Sequence, residues 1–162
     1  MRIALIADTH DALGKVLLTA RRLRAEGVET VLHAGDVTGA EILRLLEGFD
    51  VWVTWGNMDT NPNLGAIAVS LFGLGRMDRV HYLTLEGQRI ALLHGDDRRL
   101  LQRLIQSGEH DYVIHGHTHK PRDERIQGTR VINPGALGGP GWRTGSFALL
   151  DLGTGDLERI EL

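Results

Sequence analysis

The sequence predicts an α/β fold, and three observations predict it. Apolar runs at residues 2–7, 30–33 and 51–55 alternate with stretches whose apolar residues recur at helical spacing. That is the pattern of parallel strands with helices packed against the sheet. Residues 80–85 and 89–93 alternate around Glu86-Gly87-Gln88, a hairpin signal that adds antiparallel pairing. The tail from Arg125 onward, rich in glycine turns, holds three more strand candidates at 130–132, 146–152 and 157–161, expected to be antiparallel.

Residues 2–7 form a buried strand that ends at Asp8-Thr9-His10. Leu13, Val16, Leu17, Ala20 and Leu23 then place one apolar face on a helix over 13–25, with Gly27 as its stop. A strand at 30–33 ends at Ala34-Gly35-Asp36, a helix over 40–46 stops at Gly48, and a strand at 51–55 ends at Gly56-Asn57-Met58-Asp59. Asn61-Pro62-Asn63 is a loop, and 64–72 fits a helix or a covered loop. The second hairpin strand ends at His94-Gly95-Asp96, and 98–105 has a helical pattern. Residues 111–114 lead into His115-Gly116-His117-Thr118-His119.

With 162 residues the chain suits one compact domain over 1–162 rather than two. The net charge of −3 offers no general nucleic-acid patch. There is no cysteine, so disulfides, thiolate metal sites and thiol nucleophiles are excluded. The apolar run at the start is short and ends on an acid, unlike a signal peptide, and no run approaches a membrane span. A cytoplasmic protein is expected. The oligomeric state is not legible, and a homo-oligomer stays open.

Chemistry gathers at the strand ends. Residues two apart in an extended chain point the same way, so His117 and His119 are placed to face one point. Five apolar strands end in polar tips: Asp8-Thr9-His10, Gly35-Asp36, Gly56-Asn57, His94-Gly95 and Gly116-His117-Thr118-His119. In open α/β sheets, sites form beyond the carboxyl ends of the strands. The tips supply two carboxylates, one amide and four histidines. These are too many ligands for one ion, whereas two ions sharing a carboxylate would use all of them. Mixed nitrogen and oxygen ligands suit manganese, iron, zinc or nickel better than magnesium or copper(I).

In order, these motifs (DxH, GD, GN, H, GHxH) resemble the calcineurin-like metallophosphoesterases, in particular their small single-domain bacterial and archaeal phosphodiesterase branch. The likeness runs from Asp8 to Asn133-Pro134-Gly135. It implies the calcineurin-like fold, with mixed β-sheets sandwiched with helices. It also implies that Asp8, His10 and His119 bind one metal, that Asn57, His94 and His117 bind a second, and that Asp36 bridges both. The implied cofactors are two divalent ions, manganese first, with iron, zinc or nickel as alternatives. The implied reaction is hydrolysis of a small phosphate ester, a diester rather than a monoester, by a metal-bridging hydroxide. Asp36 and Asn57 would be its catalytic residues, Asn57 also touching the phosphate.

Two departures stand out. The wider family reads GNH followed by an acid, where this chain has Gly56-Asn57-Met58-Asp59. The missing histidine is that family's proposed proton donor, and a thioether has no proton to give. Many small relatives read HGH where this chain has His94-Gly95-Asp96, which adds a negative charge near the mouth of the site.

The remaining histidines are expected to be structural (His33, His115) or on the surface (His81, His110). Arg98-Arg99 fits a solvated helix start, Lys120 and Arg122 are candidates to meet a phosphate, and Trp142-Arg143 could rim the site. Trp52 and Trp55 belong to the core or the sheet surface. A non-catalytic protein-binding scaffold, like the small retromer subunit of eukaryotes, is the alternative. It predicts decayed ligands, and here every position is filled. A metallo-β-lactamase-like hydrolase is discarded, because Lys120-Pro121 follow where that motif continues with an aspartate and a histidine.

Overall fold

The computed structural model describes residues 1–139 and 144–162. The first half alternates as expected. Strand β1 (Arg2–Ile6) leads to helix α1 (Leu13–Ala25), β2 (Thr30–His33) to α2 (Ala40–Leu45), and β3 (Asp50–Thr54) to α3 (Leu64–Phe72). A two-residue strand, β4 (Met77–Asp78), follows the glycine-rich stretch after α3, where no strand was expected. The hairpin is β5 (Val80–Leu85) with β6 (Gln88–Leu93). Helix α4 (Arg98–Gln106) and β7 (Tyr112–Ile114) come next, then β8 (Arg122–Ile126), β9 (Thr129–Asn133), β10 (Ser146–Asp151) and β11 (Leu157–Glu161).

Two mixed sheets result, in the orders β11-β10-β1-β2-β3-β4 and β5-β6-β7-β9-β8. The tail corrects one expectation: β9 runs parallel to β7, and only its other edge, toward β8, is antiparallel. The cause is an unexpected strand, β8, joined to β9 by a turn at Gln127-Gly128 in which both residues have positive φ. This hairpin reverses the chain, so β9 comes back alongside β7 in the same direction.

Alternation across the strands builds the layers. In β1, Ala4 and Ile6 face α1–α3 with Val31, Val51 and Val53. Ile3 and Leu5 face the other way, with Leu32, and meet Ile90, Leu92, Ile114 and Ile132 of the second sheet. That sheet's outer face, Ala91, Leu93, Val113 and Val131, is covered by Leu104 and Ile105 of α4. Each fully buried Leu or Ile contributes about 1.5–3 kcal/mol, so the contact between the sheets fixes how their strand ends align. Asp97 caps α4 by accepting from the Arg99 and Leu100 N–H groups, while Arg98 and Arg99 are exposed. No helix among the described residues is long and apolar enough to cross a membrane.

Candidate metal centre

The carboxyl ends of β1, β2 and β3 in one sheet and of β6 and β7 in the other meet at one edge of the domain. Within a few residues of leaving β1, β2 and β7, the chain turns through unusual backbone. Asp8, His10, Asp36, His117 and His119 all have φ between 40° and 66°. Side chains other than glycine enter this left-handed region at a cost of about 1 kcal/mol or more each. Such strain clusters where surrounding structure over-determines it, and here it aims side chains inward. Gly56 is required by packing, since a Cβ there would collide with the Asp36 carboxylate and backbone.

The seven predicted positions converge. His119 Nε2 lies 3.3 Å from Asp8 Oδ1 and 3.2 Å from His10 Nε2. Asp36 Oδ2 lies 3.6 Å from His10 Nε2 and 3.5 Å from His94 Nε2. Asn57 Oδ1 lies 3.0 Å from His94 Nε2 and 3.0 Å from His117 Nδ1. Asp36 therefore stands between two groups, Asp8–His10–His119 on one side and Asn57–His94–His117 on the other. The donor atoms of Asp8, His10, Asp36 and His119 all lie within 4.8 Å of one another.

These groups are held from behind. His117 N–H donates to Asp8 Oδ2 at 3.0 Å. Met58 N–H donates to Asp36 Oδ1 at 2.8 Å, which leaves Oδ2 toward the two histidine groups. His94 Nδ1 donates to the Ala34 carbonyl at 2.8 Å, so in the neutral ring, the form that ligates, Nε2 carries the lone pair. The Asn133 amide donates to the Gly116 carbonyl and to Thr118 Oγ1, and its oxygen accepts from Gly135 N–H. The Asn-Pro-Gly turn thus clamps the histidine loop.

The donor set fits divalent cations. His94 Nε2, a lone pair, faces the oxygens of Asn57 and Asp36, which are acceptors too. No hydrogen lies between such groups, and a shared cation satisfies all of them. Ions that hold nitrogen and oxygen at about 2.0–2.2 Å place neighbouring ligands about 3 Å apart, close to the 3.0–3.6 Å seen here. Charge agrees. Burial, then the neighbouring Asp36 carboxylate, push the Asp8 carboxyl up to about 8, against the pull of the His117 N–H. A nearby cation opposes that repulsion. Burial, then His94, lower the pKa of His117, and burial, then His10, lower that of His119. Neutral imidazole is the form that ligates.

The site opens into a cleft of about 810 Å³ lined by His10, Asp36, Asn57, Met58, His117 and His119, with Asp11, Lys15 and Thr38 beside them. Residues 1–155 match the family model of the calcineurin-like phosphoesterase superfamily domain. The chain belongs to this superfamily. A phosphodiesterase of Methanocaldococcus jannaschii is 30% identical over 83% of each chain. A probable metallophosphoesterase of Methanothermobacter thermautotrophicus is 31% identical over 84% of this chain and 77% of that one. The solved structure of an archaeal phosphodiesterase superposes with a TM-score of 0.93 at 28% identity over the full length of both chains. Vps29 of Entamoeba histolytica shares the fold, with a TM-score of 0.71 at 23% identity over 100% of this chain and 99% of that one.

For a superfamily member, the surroundings of the site differ from expectation in several places. The Asp59 carboxylate, given no role from the sequence, accepts from Asp36 N–H (3.1 Å), Thr38 N–H (2.7 Å) and Gly56 N–H (2.8 Å), tying two loops together. The only hint was an acid following the GN turn. Lys15 is the cation among the described residues that line the cleft, and it was missed because it reads as an ordinary helix position. Lys120 and Arg122 do not line the cleft, and Arg122 pairs with Glu124. His81 is buried rather than on the surface, with Nε2 donating to the Val53 carbonyl at 2.7 Å. His110 is half-buried against the Tyr82 ring. His33 is structural as expected: it accepts from Gly35 N–H and reaches Thr9 Oγ1, and burial drives its pKa down to about 3. His115 is buried, with Nδ1 on the Gly116 carbonyl. Trp52 and Trp55 pack against the core. Trp142 and Arg143 lie outside the described residues.

Proposed function

We propose that the chain is a phosphodiesterase working with two divalent cations, manganese first. Asp8, His10 and His119 hold one, Asn57, His94 and His117 the other, and Asp36 is shared. The observation that carries this reading is the position of Asp36 Oδ2, 3.6 Å from His10 and 3.5 Å from His94. A carboxylate between two histidine groups is what a shared ligand requires. The names of the archaeal relatives support the reaction class.

When bound, the cations supply an acidified water as nucleophile and positive charge for the phosphate oxygens. The chain's own residues do the rest. Met58 N–H and His117 N–H fix the two carboxylates. The Asn57 side chain sits exposed at the cleft, where its amide can touch the phosphate. The Met58 side chain, 51% exposed at the same cleft, offers no proton to a leaving group. Asp96 is exposed near His117, where its negative charge partly opposes the lowering of that imidazole's pKa by burial and His94, so its charge is felt at the site and disfavours a doubly charged monoester.

The test is hydrolysis of bis(p-nitrophenyl) phosphate before and after verified removal of metal by chelator. Activity should vanish and return with manganese. Full activity in the metal-free protein would overturn the reading. Vps29 shares the fold and Met58 replaces a proton donor, so a binding scaffold is the second reading, and failure to hydrolyse any ester with metals loaded would favour it.

A further inference from the structure

On the far side of Asn57 lies a second cavity that the reaction does not require. It measures about 260 Å³ and is lined by Trp55, Arg79, Leu93, Asp96, Asp97 and Leu100, with His94 and Asn57 at its inner end. Asn57 is the residue common to this recess and the main cleft. A phosphate held at Asn57 therefore has room on both sides, and a diester has two arms.

We propose that this recess is a subsite for one arm of the diester, and that the arm is a neutral, planar group bearing hydrogen-bond donors, of the nucleoside kind. The inference rests on the phosphodiesterase reading. Four features of the wall select that chemistry. Trp55 and Arg79 both belong to side-chain types that stack on planar rings. Leu93 and Leu100 add apolar contact. Asp96, exposed at the rim, accepts hydrogen bonds from hydroxyl or amino groups and gives none. With two acids against one arginine, the recess is negative by one formal charge, which works against a further phosphate or carboxylate on this arm. The volume admits a base with part of its sugar and excludes a second large group. A monoester would leave either the recess or the cleft empty.

The experiment compares three diesters with the same leaving group on the manganese-loaded protein: thymidine 5′-p-nitrophenyl phosphate, hexyl p-nitrophenyl phosphate and methyl p-nitrophenyl phosphate. Leu100→Trp fills the recess, and Arg79→Gln, at an exposed position, removes a stacking partner without threatening the fold. The ratio of kcat/KM for the thymidine ester to that for the methyl ester should fall about tenfold in Leu100→Trp and about threefold in Arg79→Gln, in keeping with the loss of base stacking. The hexyl ester should follow the methyl ester in Arg79→Gln. Ratios unchanged in Arg79→Gln would overturn the subsite, whether or not Leu100→Trp folds, and a hexyl ester as sensitive as the thymidine ester would overturn the planar arm. Saturation-transfer NMR with thymidine alone, which carries no phosphate, should show contact in the wild type and lose it in Arg79→Gln. If the wild type cleaves none of the esters, the phosphodiesterase reading fails, and the thymidine signal decides the recess separately.

Discussion

Asp8, Asp36 and His94 are 0%, 2% and 1% exposed, whereas Asn57 and Met58, in the same centre, stand open to the cleft. The inner wall is held in place by the protein's own groups. Its carboxylates take backbone N–H groups, and the His94 tautomer is set by the Ala34 carbonyl. The Asn57 and Met58 side chains of the outer rim are exposed instead, and the rim is also where this chain departs from the motifs that its resemblance to the family implies, at Met58 and Asp96. The contrast suggests a division of labour, in which the wall fixes cation binding and the rim sets which ester is cleaved and how its leaving group departs. Substitutions in the wall should therefore change metal content, and those in the rim should change substrate preference.

The largest effect is expected at Asp36. Asp36→Asn keeps the shape and removes a charge between the two proposed cations. Hydrolysis should fall about 10³-fold or more, and metal analysis should show lowered occupancy. Normal metal content in this variant would mean that Asp36 is not shared.

Met58→His tests the rim. A positioned general acid contributes about 10²–10⁴-fold. Because Asp59 is already engaged with three N–H groups, it is poorly placed to steady the new imidazole. The gain on alkyl esters should therefore sit near the low end, about 10²-fold, with little change on aryl esters and a flatter dependence on leaving-group pKa. With metals intact, equal effects on both ester classes would show that residue 58 is not at the leaving group.

Asp59→Ala probes the joint between wall and rim by removing the acceptor for three N–H groups. Burial raises the pKa of this carboxyl, and those N–H groups offset the rise only in part. Removal should cost about 3 kcal/mol of stability and about 10–100-fold in metal affinity. Asp59→Asn should recover part of both. An unchanged melting temperature in the alanine variant would contradict the role.

His33 gives the smallest effect. Its folded pKa of about 3 lies below its ordinary 6.5 because burial disfavours the charged ring. Between those values the unfolded chain binds the extra proton, so this residue makes stability fall as pH drops through that window, by up to about 1.4 kcal/mol per pH unit. His33→Gln should lose about 1 kcal/mol at pH 7 and show a shallower acid slope. Denaturant melts in chelator from pH 7 to pH 4 measure both. An unaltered slope would show that His33 does not titrate on unfolding.

How much of this was legible in the sequence follows from the same division. The strand tips were readable because strand ends converge in α/β folds, and the Asp8, Asp36, Asn57 and histidine motifs each sit at one. The direction of β9 was not, because it depends on β8 and a two-residue turn whose polar sequence carries no period. His81 could not be told from a surface histidine, since its burial depends on β5 lying next to β3, a contact far apart in sequence. The role of Asp59 was not legible for a similar reason: an acid beside a motif says nothing about which N–H groups will come to it. The recess at Arg79 and Leu100 brings together residues from three separate segments and has no local signature.

The central claim is that one carboxylate, Asp36, joins two cation sites. Metal titration of the purified chain, read by stoichiometry, tests it most directly. Two manganese ions per chain are expected in the wild type, one in His10→Ala and one in His117→Ala, because each of these removes a ligand from one side only. Asp36→Ala should weaken both sites together. A single ion per wild-type chain, or a loss at Asp36 that matches only one of the histidine variants, would contradict the account.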